Sequence, residues 1–235
     1  MLGNKKPELY ALVIGNSNYR SRPLPNAAND SNVMAKKLAA LGFKVVNLSN
    51  LSRKSFLAAL VEFSQKSVNS DLTVLFYSGH GIQMGGVNYL LPTDIDFNRP
   101  PDVIVSQGIS INDLLRRNLP GKNRVVFLDA CRTNPVKVSG KINSPEGLAP
   151  INAPRSTLIS FATRDGSVAY DSVGSKNSPY TMALVNNLDK EEDIAVLLRA
   201  VREEVLRFTQ GKQEPWEYGS LTGGQLIFSK LAKLP

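Results

Sequence analysis

The chain has 235 residues, 42% hydrophobic and 20% charged, which is the balance of a globular protein with enough material for a full core. Its formal net charge is +8, but the Lys and Arg residues are scattered and no basic run is interleaved with aromatics. The charge therefore reads as a solvated surface, and nucleic acid is not expected as a partner.

A single cysteine, Cys131, excludes an internal disulfide framework, and with a single histidine, His80, it excludes the usual multi-ligand zinc sites. No window approaches the roughly 18 apolar residues of a spanning helix, so no membrane partner is expected. The amino terminus runs almost directly into an apolar strand and lacks a signal peptide's long apolar segment and cleavage site. A cytoplasmic, reducing setting is the expectation.

Leu9 to Ile14 reads as the first strand, left by the polar turn Gly15 to Tyr19. That turn matches no phosphate-loop pattern. Asn29 or Asp30 reads as the N-cap of a helix burying Val33, Met34, Leu38 and Leu41 and stopped by Gly42. Lys44 to Leu48 follows as a strand, making a βαβ opening whose crossover is right-handed. Ser52 caps a helix with the apolar stripe Phe56, Leu57, Leu60, Val61 and Phe63.

The run Leu72 to Ser78 predicts a strand buried on both faces, ending in Gly79, His80 and Gly81. Gly85 and Gly86 predict a hairpin closed by Pro92 to Asp94. Ser110 to Asp113 resembles a capping box ahead of Leu114, Leu115 and Leu119. A second doubly buried run, Val125 to Leu128, then ends in Asp129, Ala130, Cys131 and Arg132. In open α/β sheets the carboxyl ends of strands carry the reactive groups, because the departing loops enclose the crevice. If these two runs are neighbouring parallel strands, a thiol and an imidazole stand on one edge.

From Thr133 to Pro154 the composition turns to Pro, Gly, Ser, Asn and Lys, as in an exposed mobile loop. Ser156 to Thr163 resumes a buried strand, and Ser178 with Pro179 starts a helix. Asp193 to Gln210 is a longer amphipathic helix ended by Gly211, and Gly224 to Ser229 reads as a final strand. Trp216 and Tyr218 either flank a substrate groove or cover that strand. The sum is an α/β protein, a three-layer α/β/α sandwich around a mostly parallel sheet of about six strands.

The segments ALVIGNSNY, NAANDSNVMAKKLAALGF, FYSGHG, NYLLPTD, VVFLDACR, SFATRDGSVAYD, SPYTMALVNNL and QEPWEYGSLTGGQLIF resemble the caspase-like cysteine peptidases, and within them the bacterial metacaspase-like (orthocaspase) branch. They occur in the family's order and cover nearly the whole chain. The caspase signature also has its histidine about 50 residues before the cysteine, as here. Asp129 and Thr133 replace the first and last residues of that signature, which points away from true caspases and their acidic-residue specificity.

The resemblance implies one peptidase domain over residues 1–235, with a large portion to about 132, a junction at about 133–154 and a small portion from about 155. It implies a cysteine endopeptidase with Cys131 as nucleophile, His80 as general acid and base, and the backbone N–H groups of Gly81 and Cys131 as oxyanion donors. The chemistry agrees, since a free thiol titrates near 8.5 and needs a neighbouring base to react at neutral pH. In the family's basic-residue-specific members the primary pocket corresponds here to Asp30, Ser78 and Asp129. Two carboxylates suit a forked guanidinium, so cleavage after Arg, with Lys second, is expected.

Plainer readings of these residues are a helix cap for Asp30, a strand-end turn residue for Asp129 and a space-filler for Ser78. Many metacaspases need calcium; Asp94 and Asp96 form no dense acidic group, so neither calcium nor another cofactor is expected. Self-cleavage in the junction would use Lys137, Lys141 or Arg155. The expected partners are protein or peptide substrates with Arg or Lys at the cleavage position, and the expected state is a monomer or weak dimer. The alternative is a catalytically silent caspase-like module that binds partners, because a fold hosts many functions.

Overall fold

The computed structural model describes residues 6–131, 149, 151, 153–164 and 175–231. Eight strands fall among them: β1 (Leu9–Gly15), β2 (Lys44–Ser49), β3 (Leu72–Met84), β4 (Val87–Leu90), β5 (Ile109–Ser110), β6 (Asn123–Cys131), β7 (Thr157–Phe161) and β8 (Trp216–Gly219). Six of them form the central sheet in the order β2-β1-β3-β6-β7-β8. Neighbours are parallel except β8, which runs antiparallel to β7. The α/β class and the six-stranded, mostly parallel sheet are as expected.

The layers follow from the two-residue period of a strand. Ala11, Val13, Val74, Phe76, Val125 and Phe127 face one side, against α1 (Ala27–Ala40), α5 (Pro179–Asn187) and α6 (Ile194–Phe208). Leu12, Ile14, Leu75, Tyr77, Val126 and Leu128 face the other, against α2 (Arg53–Lys66) and α4 (Ile111–Arg117). Because both faces are covered, β1, β3 and β6 are continuous apolar runs without polar alternation. Removing that much apolar surface from water, at about 25 cal/mol per Å², is the main stabilising term.

Helix starts are set by side chains. Ser52, Ser110, Ser178 and Asp193 lie in extended backbone and accept the N–H groups of Ser55, Asp113, Thr181 and Ala195. Glycines with positive φ, Gly42 at 89° and Gly211 at 78°, stop α1 and α6. The hairpin is also as expected: β3 continues past His80 and pairs antiparallel with β4 through Gly85 and Gly86 at φ 58° and 78°. A short helix not read from the sequence, α3 (Pro101–Gln107), follows, with a proline at its tolerated start.

Two expectations are corrected. The N-cap of α1 is Asn26, so Asp30 lies inside the helix. Ser17 Oγ takes over the capping by accepting the Ala28 N–H at 2.8 Å, which leaves the Asp30 carboxylate to face inward. Gly224 to Ser229 is not a strand: the edge strand is β8, and Phe228 opens the short helix α7 (Phe228–Leu231). Leu226 bonds to the start of α6 instead of a ladder, its N–H to Asp193 Oδ2 at 2.8 Å and its carbonyl from the Ile194 N–H at 2.9 Å. The apolar residues there close one end of the core, Phe228 against Phe43 at 5.6 Å.

Trp216 and Tyr218 belong to β8 itself. Tyr218 meets Phe161 edge-on at 5.9 Å, and the exposed Trp216 carries the Arg202 guanidinium over its ring at 5.6 Å. Most of the segment from Thr133 to Pro154, with Lys137 and Lys141, lies outside the described residues. Arg155 is exposed, and its carbonyl accepts from Arg124 Nη1 at 3.1 Å. Among the described residues no helix is long and apolar enough to cross a membrane.

Candidate active site

The parallel pairing of β3 with β6 runs in register from Leu72 opposite Asn123 to His80 opposite Cys131. The only histidine and the only cysteine are thus Cα partners at the carboxyl edge of adjacent strands, which lie about 4.8 Å apart.

The imidazole is almost enclosed. Tyr19 lies edge-on at 4.5 Å between ring centroids and Phe97 at 5.3 Å, and the ring is 6% exposed. Nε2 is 2.8 Å from the Arg22 carbonyl. A carbonyl can only accept, so Nε2 carries the proton and Nδ1 keeps the lone pair. Nδ1 is buried and has no hydrogen-bond partner among the described residues. Burial pushes the histidine pKa down to about 4; the bond to the Arg22 carbonyl raises it in part, and the Arg22 charge lowers it again. The ring is therefore neutral at pH 7, with its lone pair on Nδ1.

The backbone around the histidine is held by two buried phenols. Tyr19 Oη accepts the His80 N–H at 3.0 Å and donates to the Leu91 carbonyl at 2.9 Å, while Tyr77 Oη donates to the His80 carbonyl at 2.8 Å. The two hydroxyls are 3.2 Å apart. Burial raises the Tyr77 pKa well above its ordinary value, which keeps that hydroxyl a donor. Gly79 makes the arrangement feasible: a Cβ there would stand 2.5 Å from Tyr77 Oη and 2.9 Å from Tyr19 Oη.

One step back along the same two strands, Ser78 and Asp129 are also Cα partners. Asp30 approaches them from α1, and all three side chains are buried. Asp30 Oδ2 accepts from Ser78 Oγ at 3.3 Å, and Oδ1 accepts from Asn177 Nδ2 at 2.9 Å and the Ser178 N–H at 3.0 Å. Asp129 Oδ2 accepts from Ser178 Oγ and from Thr181 Oγ1, the latter at 2.7 Å. Ser178 thus joins the two carboxylates. The structure brings Asp30, Ser78 and Asp129 together beside His80 and Cys131, and excludes the helix-cap reading of Asp30.

Gly81 follows His80 in β3 and is the Cα partner of Leu90. Asp94 Oδ1 accepts the Arg53 N–H at 2.9 Å and Asp96 Oδ1 accepts the Asn98 N–H at 3.0 Å, so each carboxylate serves a local turn or helix start. Among the described residues no group of three or more His, Cys, Asp or Glu could hold a metal ion.

Sequence reading missed Tyr19, Arg22, Tyr77 and Phe97 around the histidine, and Asn177 and Thr181 at the carboxylates. Ser178 was legible only as a helix start. Arg22 contributes a backbone carbonyl, for which no side-chain signal exists.

Residues 8–224 match the family described as Caspase domain, a peptidase family. The human protein Mucosa-associated lymphoid tissue lymphoma translocation protein 1 is 30% identical over 213 residues, which is 86% of this chain and 24% of that protein. Its mouse homologue is 28% identical over the same shares. The chain thus spans about a quarter, 24%, of the length of these relatives. Among solved structures, caspase-1 from Spodoptera frugiperda superposes with a TM-score of 0.69 at 20% identity, over 96% of this chain and 91% of that one. The structure titled pro-sf-caspase-1 gives 0.66 at 22%, over 96% and 92%. The fold agrees with these neighbours, and the family match covers the whole central sheet, which carries His80, Asp129 and Cys131, and the helix that carries Asp30: the chain belongs to the caspase-domain family of peptidases.

Proposed function

We propose that the protein is a cysteine endopeptidase that cleaves after Arg, and second after Lys, through Cys131 and His80. The observation that carries this reading is the in-register pairing of the two residues, with an imidazole nitrogen at the same edge that has no partner among the described residues.

His80 Nδ1 takes the thiol proton as sulfur attacks the scissile carbonyl carbon. The resulting oxyanion is stabilised by the backbone N–H groups of Gly81 and Cys131, a contribution of about 2.7–4 kcal/mol per donor. The imidazolium then protonates the leaving amine, and the thioester is hydrolysed by a water that the neutral ring activates. Through this cycle the Arg22 carbonyl keeps the Nε2 proton in place and Nδ1 directed to the chemistry. Asp30, Ser78 and Asp129 form the primary pocket, and its two carboxylates favour a basic side chain and repel an acidic one.

On this reading the protein is a cytoplasmic, metacaspase-like enzyme with one peptidase domain, active as a monomer or weak dimer. It needs no calcium: activity is unchanged by a chelator. Self-cleavage after Lys137, Lys141 or Arg155 would show as lower-mass fragments on incubation of the wild type and not of Cys131→Ala.

The deciding experiment uses fluorogenic peptides ending in Arg, Lys or Asp. Release from Arg above Lys, none from Asp, and none by Cys131→Ala is the expected pattern. No release from any peptide by the wild type would favour a silent interaction module.

A further inference from the structure

We infer that Ser178 and Thr181, at the start of α5, are specificity-positioning residues that orient the Asp129 and Asp30 carboxylates for a guanidinium rather than an ammonium. The inference rests on the reading of those carboxylates as the primary pocket.

Two buried carboxylates close together repel each other, and each needs compensating donors to stay ionised. The strands supply one, Ser78 Oγ. Residues 177–181 supply four more among the described residues: Asn177 Nδ2 and the Ser178 N–H to Asp30, and Ser178 Oγ and Thr181 Oγ1 to Asp129. Both hydroxyls converge on one oxygen of Asp129, Oδ2, which sets the rotation of that carboxylate about its own bond. Asp30 is oriented in the same way, with Oδ1 bonded to α5's approach and Oδ2 to β3. Neither carboxylate can turn without breaking charge-assisted bonds.

The place is also a reacting one. Ser78 is two residues before His80, roughly 6.6 Å along the strand, and the buried Nδ1 of that histidine lacks a partner among the described residues. Locked acceptors matter more to a guanidinium than to an ammonium. A guanidinium's donors point in fixed directions within one plane, whereas an ammonium rotates three donors to meet a carboxylate that has swung. Loosening Asp129 therefore weakens Arg recognition more than Lys recognition, so α5 sets the preference between the two bases.

The test compares wild type, Thr181→Val, Thr181→Ser and Ser178→Gly. Phenylguanidine and benzylamine serve as probes in calorimetry at pH 7.5, and kcat/KM is measured on Arg and Lys peptides. Thr181→Val is close to isosteric and loses only the hydroxyl, and glycine at 178 keeps a tolerated helix start. Phenylguanidine should bind about tenfold more weakly to Thr181→Val and to Ser178→Gly, with benzylamine changed by less than about threefold. Thr181→Ser should restore wild-type binding, and the Arg-to-Lys ratio of kcat/KM should fall in the two weakened variants through KM.

Equal weakening of both probes would make the hydroxyls merely structural and overturn the inference. So would unchanged phenylguanidine binding in both variants, or none in the wild type. Cys131-dependent hydrolysis of a peptide with an uncharged side chain at the cleavage position would, in that last case, leave the peptidase reading standing. Phenylguanidine binding with no hydrolysis of any peptide would do the reverse.

Discussion

Two polar regions share the carboxyl edge of β3 and β6 and are equally hidden, His80 and Asp129 each at 6% exposure, yet they are partnered in opposite ways. Among the described residues the histidine has one hydrogen bond for two ring nitrogens and two aromatic rings packed edge-on against it. The carboxylates meet five donors among the described residues, three on Asp30 and two on Asp129. Burial penalises a charge unless donors compensate it. The same degree of burial thus leaves a neutral ring on one side and two carboxyl groups surrounded by donors on the other. What separates them is the supply of donors: aromatic residues and a lone carbonyl face the ring, and a hydroxyl-rich helix start faces the carboxylates.

The sharpest way to break this division of labour is His80→Gln, which removes the proposed base and leaves the carboxylates in place. The expected loss is about 10²–10⁴ in kcat with KM for an Arg peptide nearly unchanged. A parallel rise in KM would mean that the two regions act as one. Asp129→Asn is the mirror experiment. Its amide can still bond the Ser178 and Thr181 hydroxyls, which rotate to accept or donate, so the fold is retained. The expected loss is about 100-fold in kcat/KM on Arg peptides, of the size seen when a buried charge partner is removed. Alkylation of Cys131 by iodoacetamide should proceed at the wild-type rate, and slowing there would tie Asp129 to the reactivity of that thiol.

The neutral ring has its own signature. With a folded pKa of about 4 against about 6.5 unfolded, the unfolded chain binds a proton between those values that the folded chain does not. Stability from this group is complete above about pH 6.5 and falls as the pH is lowered toward 4. The loss reaches about 2.5 kcal/mol at pH 4.5. Urea unfolding at pH 7 and pH 4.5 should show that part of the acid loss in the wild type and not in His80→Gln. Equal losses in both proteins would mean that the ring is more solvated than its aromatic enclosure implies.

How much of this could be read from the chain depends on how far apart the cooperating residues are. The doubly buried runs ending at His80 and Cys131 were legible because β3 and β6 announce themselves by continuous apolar sequence, and the sheet order then makes them neighbours. Asp30 misled the helix boundary because an aspartate near a helix start looks like a cap, while the true cap comes from Ser17, eleven residues before Ala28. The segment Gly224 to Ser229 has a strand's pattern, but periodicity says only that apolar residues are needed on one side, not that a ladder is there to receive them. β8 went unread because an edge strand is half exposed. The enclosure of His80 comes from a loop some 60 residues upstream and from Phe97, and the donors on Asp129 come from about 50 residues downstream, separations over which no local pattern extends.

The finest test concerns the phenols behind His80. Tyr19→Phe keeps the ring against His80 and Phe97 but withdraws the acceptor of a buried amide, the His80 N–H. Tyr77→Phe withdraws the one phenolic proton that reaches the His80 carbonyl, and that carbonyl keeps the Leu91 N–H at 3.0 Å. An orphaned donor costs more than a carbonyl that loses one of two bonds. Tyr19→Phe should therefore cost roughly 1–3 kcal/mol and Tyr77→Phe roughly half of that or less. The double variant should cost less than the sum, because the two hydroxyls hold the N–H and the C=O of one residue and the first loss already frees it in part. Urea midpoints with unchanged slopes measure all three. If Tyr77→Phe proved the more damaging, His80 would be held through its carbonyl, and the loop that carries Tyr19 would be a cover for the ring and not its anchor.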